Sequence, residues 1–151
     1  MKMAMHAHNV QENARVEVRT RFGTLPVPKE NLLTFPRGLP GFDELYQFAL
    51  FHDEDNTSVF YLQSTEDPAV RLPLASPHWF RVDYQIALSD EESDLLQLES
   101  PEDLEILVIV SEDEKGLRAN FRAPLIINTR RRIAIQKLLD DPQGSLVITA
   151  H

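Results

Sequence analysis

No cysteine occurs anywhere in the 151 residues. Disulfides, a thiolate nucleophile and Cys-ligated zinc are thereby excluded, and the composition suits a reducing compartment. Glycine is scarce, at five residues, and none sits in a loop of the kind that cradles phosphate. Long apolar runs are also missing. The longest, Ile106 to Val110, is far too short to cross a bilayer. Residues 1–14 are polar, with no apolar stretch that would serve as a secretory signal. Together these absences imply a cytoplasmic location and no membrane attachment.

One sign of charge is missing over a long stretch. From Val82 to Glu114 there is no Lys or Arg, while twelve Asp and Glu make up half of the chain's 24 acids. From Lys115 to His151 the balance reverses, with seven Lys or Arg against Asp140 and Asp141. Charge segregated in this way builds a one-signed field that attracts positive partners and repels polyanions. The alternative is a solvated face that only keeps the protein soluble. A net charge of −9 and a pI near 4.9 argue against nucleic acid or an anionic membrane as direct ligand.

What is present reads as a strand-rich single domain. Val16, Val18 and Phe22 alternate with Glu17, Arg19 and Arg21, the pattern of a half-buried strand. Leu25 to Val27, between prolines, is an edge or extended segment, and Asn31 to Phe35 is a short strand. Tyr46 to Phe51 and Ser58 to Ser64 form a hairpin around a polar loop. Val70 to Leu74 carries Pro73 and belongs at an edge or a bulge. Tyr84 to Leu88 continues the alternation. Ser89-Asp90-Glu91-Glu92 then has the form of a capping box, which opens one short helix closed by Pro101. Leu104 to Ser111 is the central strand, Leu117 to Arg122 its hairpin partner, and Leu125 to Ile127 and Arg132 to Leu138 are the last two strands. The fold class expected is mainly β: a small antiparallel β-barrel-like single domain with one short helix, at 16–151, behind a flexible N-terminal tail at 1–15.

Catalytic chemistry finds little support. Away from the termini the histidines are His52 and His78, and neither lies in a nucleophile-bearing motif. The acids fall in loops and along a helix face. His6 and His8 in the tail have no third ligand beside them. No enzyme activity, metal or other cofactor is expected.

Three short segments carry the most information. Phe35-Pro36-Arg37-Gly38-Leu39-Pro40-Gly41-Phe42 combines a constrained backbone with apolar anchors. Leu62-Gln63-Ser64-Thr65-Glu66-Asp67-Pro68 is a strand running into a polar turn. Asn120-Phe121-Arg122-Ala123-Pro124-Leu125-Ile126-Ile127-Asn128 joins two strands at a kink. In this order and spacing, with Gln136 in the closing strand, they make a chain that resembles the flagellar assembly factor FliW family, from about Val16 to Leu139. Arg71, Pro73 and Ser76 depart from the family pattern and put the geometry after Pro68 in question.

The resemblance implies a non-enzymatic, β-barrel-like cytosolic protein that is a monomer by default. It implies binding to flagellin and, when the protein is free of flagellin, to the RNA-binding translational repressor CsrA, relieving repression of flagellin synthesis. The acid-only stretch suits the basic repressor, and exposed apolar surface suits flagellin's amphipathic ends. Candidate contacts are Phe35, Leu39, Phe42, Gln63, Asp67, Asn120 and Asn128 in the motif segments, with Asp90, Glu91, Asp94, Glu102 and Asp103 in the acid-only stretch. Trp79 and Phe80 add aromatic surface. A barrel that holds a small molecule in its interior is the competing reading, and it requires an internal cavity of at least roughly 300 Å³.

Overall fold

The N-terminal alternation builds a hairpin of its own. In the computed structural model, which describes residues 14–42, 44–56, 58–139 and the backbone of 146–150, β1 (Arg15–Thr20) pairs antiparallel with β2 (Gly23–Pro28). Thr20 closes the turn: its Oγ1 donates to the Gly23 carbonyl at 2.8 Å and accepts the Phe22 N–H at 2.9 Å. Pro26 and Pro28 are tolerated because, among the described residues, β2 pairs only with β1. Except for Ala14 and Arg15, the expected tail lies outside the described residues, as do His6 and His8; Arg15 already pairs with Pro28.

The chain then supplies β3 (Leu32–Thr34), β4 (Gln47–His52), β5 (Val59–Ser64), β6 (Arg71–Ala75) and β7 (Val82–Ile86). Helix α1 (Asp90–Leu96) precedes β8 (Leu104–Asp113), β9 (Gly116–Ala119), β10 (Leu125–Asn128), β11 (Ile133–Gln136) and β12 (Leu146–Ala150). Seven strands run in the order β10-β11-β3-β4-β5-β6-β8, and pairing of β8 with β10 closes them into a barrel. Closure removes most free edges. All pairings are antiparallel except β11 with β3, which meet in parallel at Ile133 and Thr34.

Period-two alternation along these strands decides what fills the barrel. All seven send side chains inward: Leu33, Phe48, Leu62, Leu74, Leu107, Leu125 with Ile127, and Ala134. Phe35 and Leu39 join them, Phe35 edge-on to Phe48 with ring centroids 5.3 Å apart. Residues of opposite parity face outward and are covered in patches. The β1–β2 hairpin covers Ala49 with Val18 and Val27. Leu96 of α1 covers Ile126 and Ile135. Phe80, Tyr84 and Phe121 pack over Ala75, Val108 and Val110.

Two strand expectations need correction. β6 is an interior strand, between β5 and β8. Pro73 is accommodated because pairing with β8 begins only at Leu74. Arg132 to Leu138 does not end the β structure, since β12 follows and pairs along the whole of β7.

The Phe35–Phe42 segment turns sharply, with Gly38 at φ 68° and Gly41 at φ 90°. A Cβ on Gly38 would lie 3.4 Å from both the Leu45 carbonyl and the Tyr46 ring, whereas one on Gly41 would meet nothing. Gly38→Val is therefore expected to cost about 1–3 kcal/mol, more than Gly41→Val, since its γ-methyls add crowding to backbone strain. Urea denaturation of both variants checks this, and parent-like midpoints for both would refute it.

Candidate protein-interaction surface

The structure divides the candidate contacts into those that hold the scaffold and those that face solvent. Phe35 and Leu39, 0% and 3% exposed, are core residues and have no surface to offer. Gln63 is 1% exposed, and its amide donates to the carbonyls of Ser64, Pro68 and Val70 at 3.1–3.2 Å. It shapes the turn after β5. Asn128, also 1% exposed, donates to the Leu96 and Gln97 carbonyls at 2.8 and 3.3 Å and accepts the N–H groups of Arg130 and Arg131. These four are corrected from contacts to structural residues: burial removes them from a partner's reach and their polar groups are already satisfied. Phe42 is half-buried against the core. Asp67 caps its own turn, accepting the Ala69 N–H at 3.0 Å, and exposed Asn120 accepts the Arg122 N–H at 3.2 Å.

Helix α1 is fixed at both ends. At its start the capping box forms as expected, Ser89 Oγ accepting the Glu92 N–H and Glu92 Oε1 accepting the Ser89 N–H. Glu92 also accepts from Lys137 Nζ at 2.8 and 2.9 Å, tying the helix to the chain just past β11. Burial pushes the Glu92 carboxyl up, but the Lys137 ammonium, the Ser89 N–H and the Arg37 guanidinium outweigh it and hold the group below its ordinary 4.5. At the far end, Asn128 satisfies helix carbonyls that have no partner within the helix.

Charge that is segregated along the chain is partly recombined in space. Bases from the C-terminal segment return to the acid-only stretch: Arg131 to Glu99 at 2.9 Å, Arg130 to Asp103 at 3.5 Å, Arg118 to Asp113 at 3.2 Å, and Lys137 to Glu92. Arg37 adds a longer contact to Glu91 at 3.7 Å. What stays uncompensated is smaller than the sequence implied. Among the described residues, no cation lies within ion-pair distance of the exposed Asp90, Asp94, Glu102 or Glu105. Asp90 and Asp94 are one helical turn apart and share a face of α1, opposite the buried Glu92 and Leu96.

Residues 17–149 match the sequence model of the family described as FliW protein. The chain belongs to the FliW family. Flagellar assembly factor FliW 1 of Desulfotalea psychrophila is 40% identical over 136 residues, covering 87% of this chain and 94% of that protein. Flagellar assembly factor FliW of Azoarcus sp. strain BH72 is 41% identical over 127 residues, covering 79% and 87%. A crystal structure of the flagellar assembly factor FliW superposes with a TM-score of 0.74 at 27% identity, covering 90% of this chain and 95% of that one. These relatives are named as flagellar assembly factors.

Within this FliW fold, Arg71, expected from the sequence to depart from the family pattern, makes specific contacts. Arg71 faces outward, its guanidinium 4.0 Å from the centroid of the Tyr61 ring and 5.0 Å from that of Phe22. Two cation–π contacts replace the apolar packing a strand residue would make and help attach the β1–β2 hairpin. Tyr61 in turn donates to Asp53 at 3.0 Å. The Glu92–Lys137 pair was not foreseen, and no local signal marks it, since its members are 45 residues apart.

Because Glu92 titrates below its ordinary value when folded, its stabilisation is complete above about pH 4.5 and is lost as pH falls through the folded value. Glu92→Gln is expected to lower stability at pH 7 by about 1–3 kcal/mol, with Lys137 left unpaired, and to flatten the acid limb of the stability profile. Thermal melts from pH 3 to 7 check both effects; an unchanged acid limb would contradict this role. Asn128→Ala is expected to cost about 1–3 kcal/mol by leaving buried carbonyls without a donor, measurable by urea denaturation.

Proposed function

We propose that this chain is a cytoplasmic, monomeric flagellar assembly factor that binds flagellin. When free of flagellin it binds and antagonises the RNA-binding translational repressor CsrA, and so relieves repression of flagellin synthesis. The observation that carries this reading is the set of uncompensated acids on the outer face of α1 and before β8, on a scaffold that belongs to the FliW family. Negative charge beside a repressor's RNA-binding surface attracts the repressor and repels the phosphates of its message. Linkage makes the effect reciprocal: bound RNA weakens capture by the factor as much as the factor weakens RNA binding.

Asp90, Glu91, Asp94 and Glu102 are assigned to the repressor, with Asp103 beside them. Phe42, Asp67 and Asn120 remain candidate contacts on the flanks. Flagellin's apolar segments meet exposed apolar side chains, of which Trp79 at 50% and Leu138 at 60% are among the largest. Against the small-ligand alternative stands the packing of inward side chains from all seven barrel strands into one apolar cluster. Among the described residues no helix is long and apolar enough to cross a membrane.

Replacing Asp90 and Asp94 with Asn and Glu91 with Gln is expected to slow association with the repressor several-fold at low salt. It should also flatten a salt dependence that otherwise falls from about 10⁸ towards 10⁵–10⁶ M⁻¹s⁻¹. Stability should change by less than about 1 kcal/mol, and flagellin binding should largely survive. Stopped-flow mixing with each partner tests this. Unchanged association with the repressor at low salt would reduce the acidic face to a solubilising one.

A further inference from the structure

The barrel is closed unevenly. β6 pairs with β8 at only two positions, Leu74 with Ile109 and Ala75 with Val108. Pro77 then turns the chain away into a 3-10 turn, Pro77–Phe80. Residues Leu104–Leu107 of β8 are left paired with β10 on one side and, among the described residues, with no strand on the other. A cleft of about 470 Å³ opens where the two strands part. Its lining combines the apolar Leu104, Ile106, Ile126, Ile86 and Leu88 with polar residues such as Ser76, His78 and Glu105, and no Lys or Arg lines it among the described residues. Glu105 borders the cleft as well; by strand parity its side chain leaves the face of β8 opposite Leu104 and Ile106, and with Glu30 and Arg132 it also borders a second depression at the barrel's mouth.

We propose that the free edge of β8 at Leu104–Leu107 is a docking site for an extended segment of a partner protein, added as an antiparallel strand. Its alternate residues are apolar and those between them are Lys or Arg. The inference rests on the reading that this chain works by binding proteins. Backbone N–H and C=O groups along the open edge supply the pairing, and the two faces of β8 supply selectivity. Apolar side chains of the added strand lie over Leu104 and Ile106. Basic ones fall on the side of Glu105 and Glu30, where acids outnumber the one arginine.

Trp79 is the chain's single tryptophan, half exposed and next to the cleft-lining His78, so its fluorescence reports on the site. The probe is a blocked ten-residue peptide of alternating Val and Lys, titrated against the full chain. The expected result is a saturable change in Trp79 emission. Two backbone N-methylated forms are compared, one methylated at every valine and one at every lysine. Only one set of N–H groups faces β8, so one form should bind at least tenfold more weakly and the other like the parent peptide. Glu30→Lys with Glu105→Lys should weaken binding at least tenfold without lowering the melting temperature, whereas Glu112→Lys with Glu114→Lys should not.

Parent-like binding by both methylated forms, tighter binding of a helical Leu/Lys peptide, or no response to the alternating peptide would each overturn the proposal. If the chain captures flagellin or the repressor while Trp79 ignores the alternating peptide, strand docking fails and the functional reading stands. If the peptide docks as described and neither protein is captured, the functional reading fails and strand docking stands.

Discussion

Closure of seven short strands leaves an interior only wide enough for their own side chains. That constraint governs the rest of the molecule. Each barrel strand must place an apolar residue inside, and among the described residues Phe35, Phe48 and the inward leucines pack together there as one cluster. Function is thereby pushed to the outside. There the opposite parity of the same strands leaves apolar residues that need covering, which the hairpin, the helix and the β7 segment provide. The surface available to a partner is what these coverings leave bare or present themselves.

Helix α1 shows how a short element becomes a rigid platform. With seven residues it is too short to be stable alone. Its capping box, the Lys137 pair at one end and the Asn128 amide at the other hold it against Ile126 and Ile135. Asp90, Glu91 and Asp94 are carried on the opposite side by helical geometry alone. The buried polar residues are thus the means by which the exposed acidic ones acquire fixed positions.

Local features were legible in the sequence and long-range ones were not. The Ser89–Glu92 cap, the β4–β5 hairpin and the constrained backbone of Phe35–Phe42 each rest on residues a few positions apart, where turn and capping chemistry is specific. Burial of Gln63 and Asn128 was misread, because a polar residue in a recurring motif looks the same whether it satisfies buried carbonyls or meets a partner. Charge segregation was overstated for a related reason. The pairing of Arg130 with Asp103 and of Lys137 with Glu92 depends on which strands are neighbours, and neighbour order in a closed barrel is not written in any local pattern. Of the candidate surface, the acids on α1 were proposed from composition. The open edge of β8 was not, although Pro77, just past β6, was its visible sign.

That partners are recognised on the outside of a filled barrel is tested most directly by methyl NMR of the Ile- and Leu-labelled chain during titration with a flagellin terminal fragment. Methyls of Leu138 and of Ile86, Leu88 and Ile106 on the outer surface are predicted to shift, with Leu62, Leu74 and Ile127 inside left in place. Shifts concentrated on the interior methyls, with the outer ones unchanged, would contradict the account.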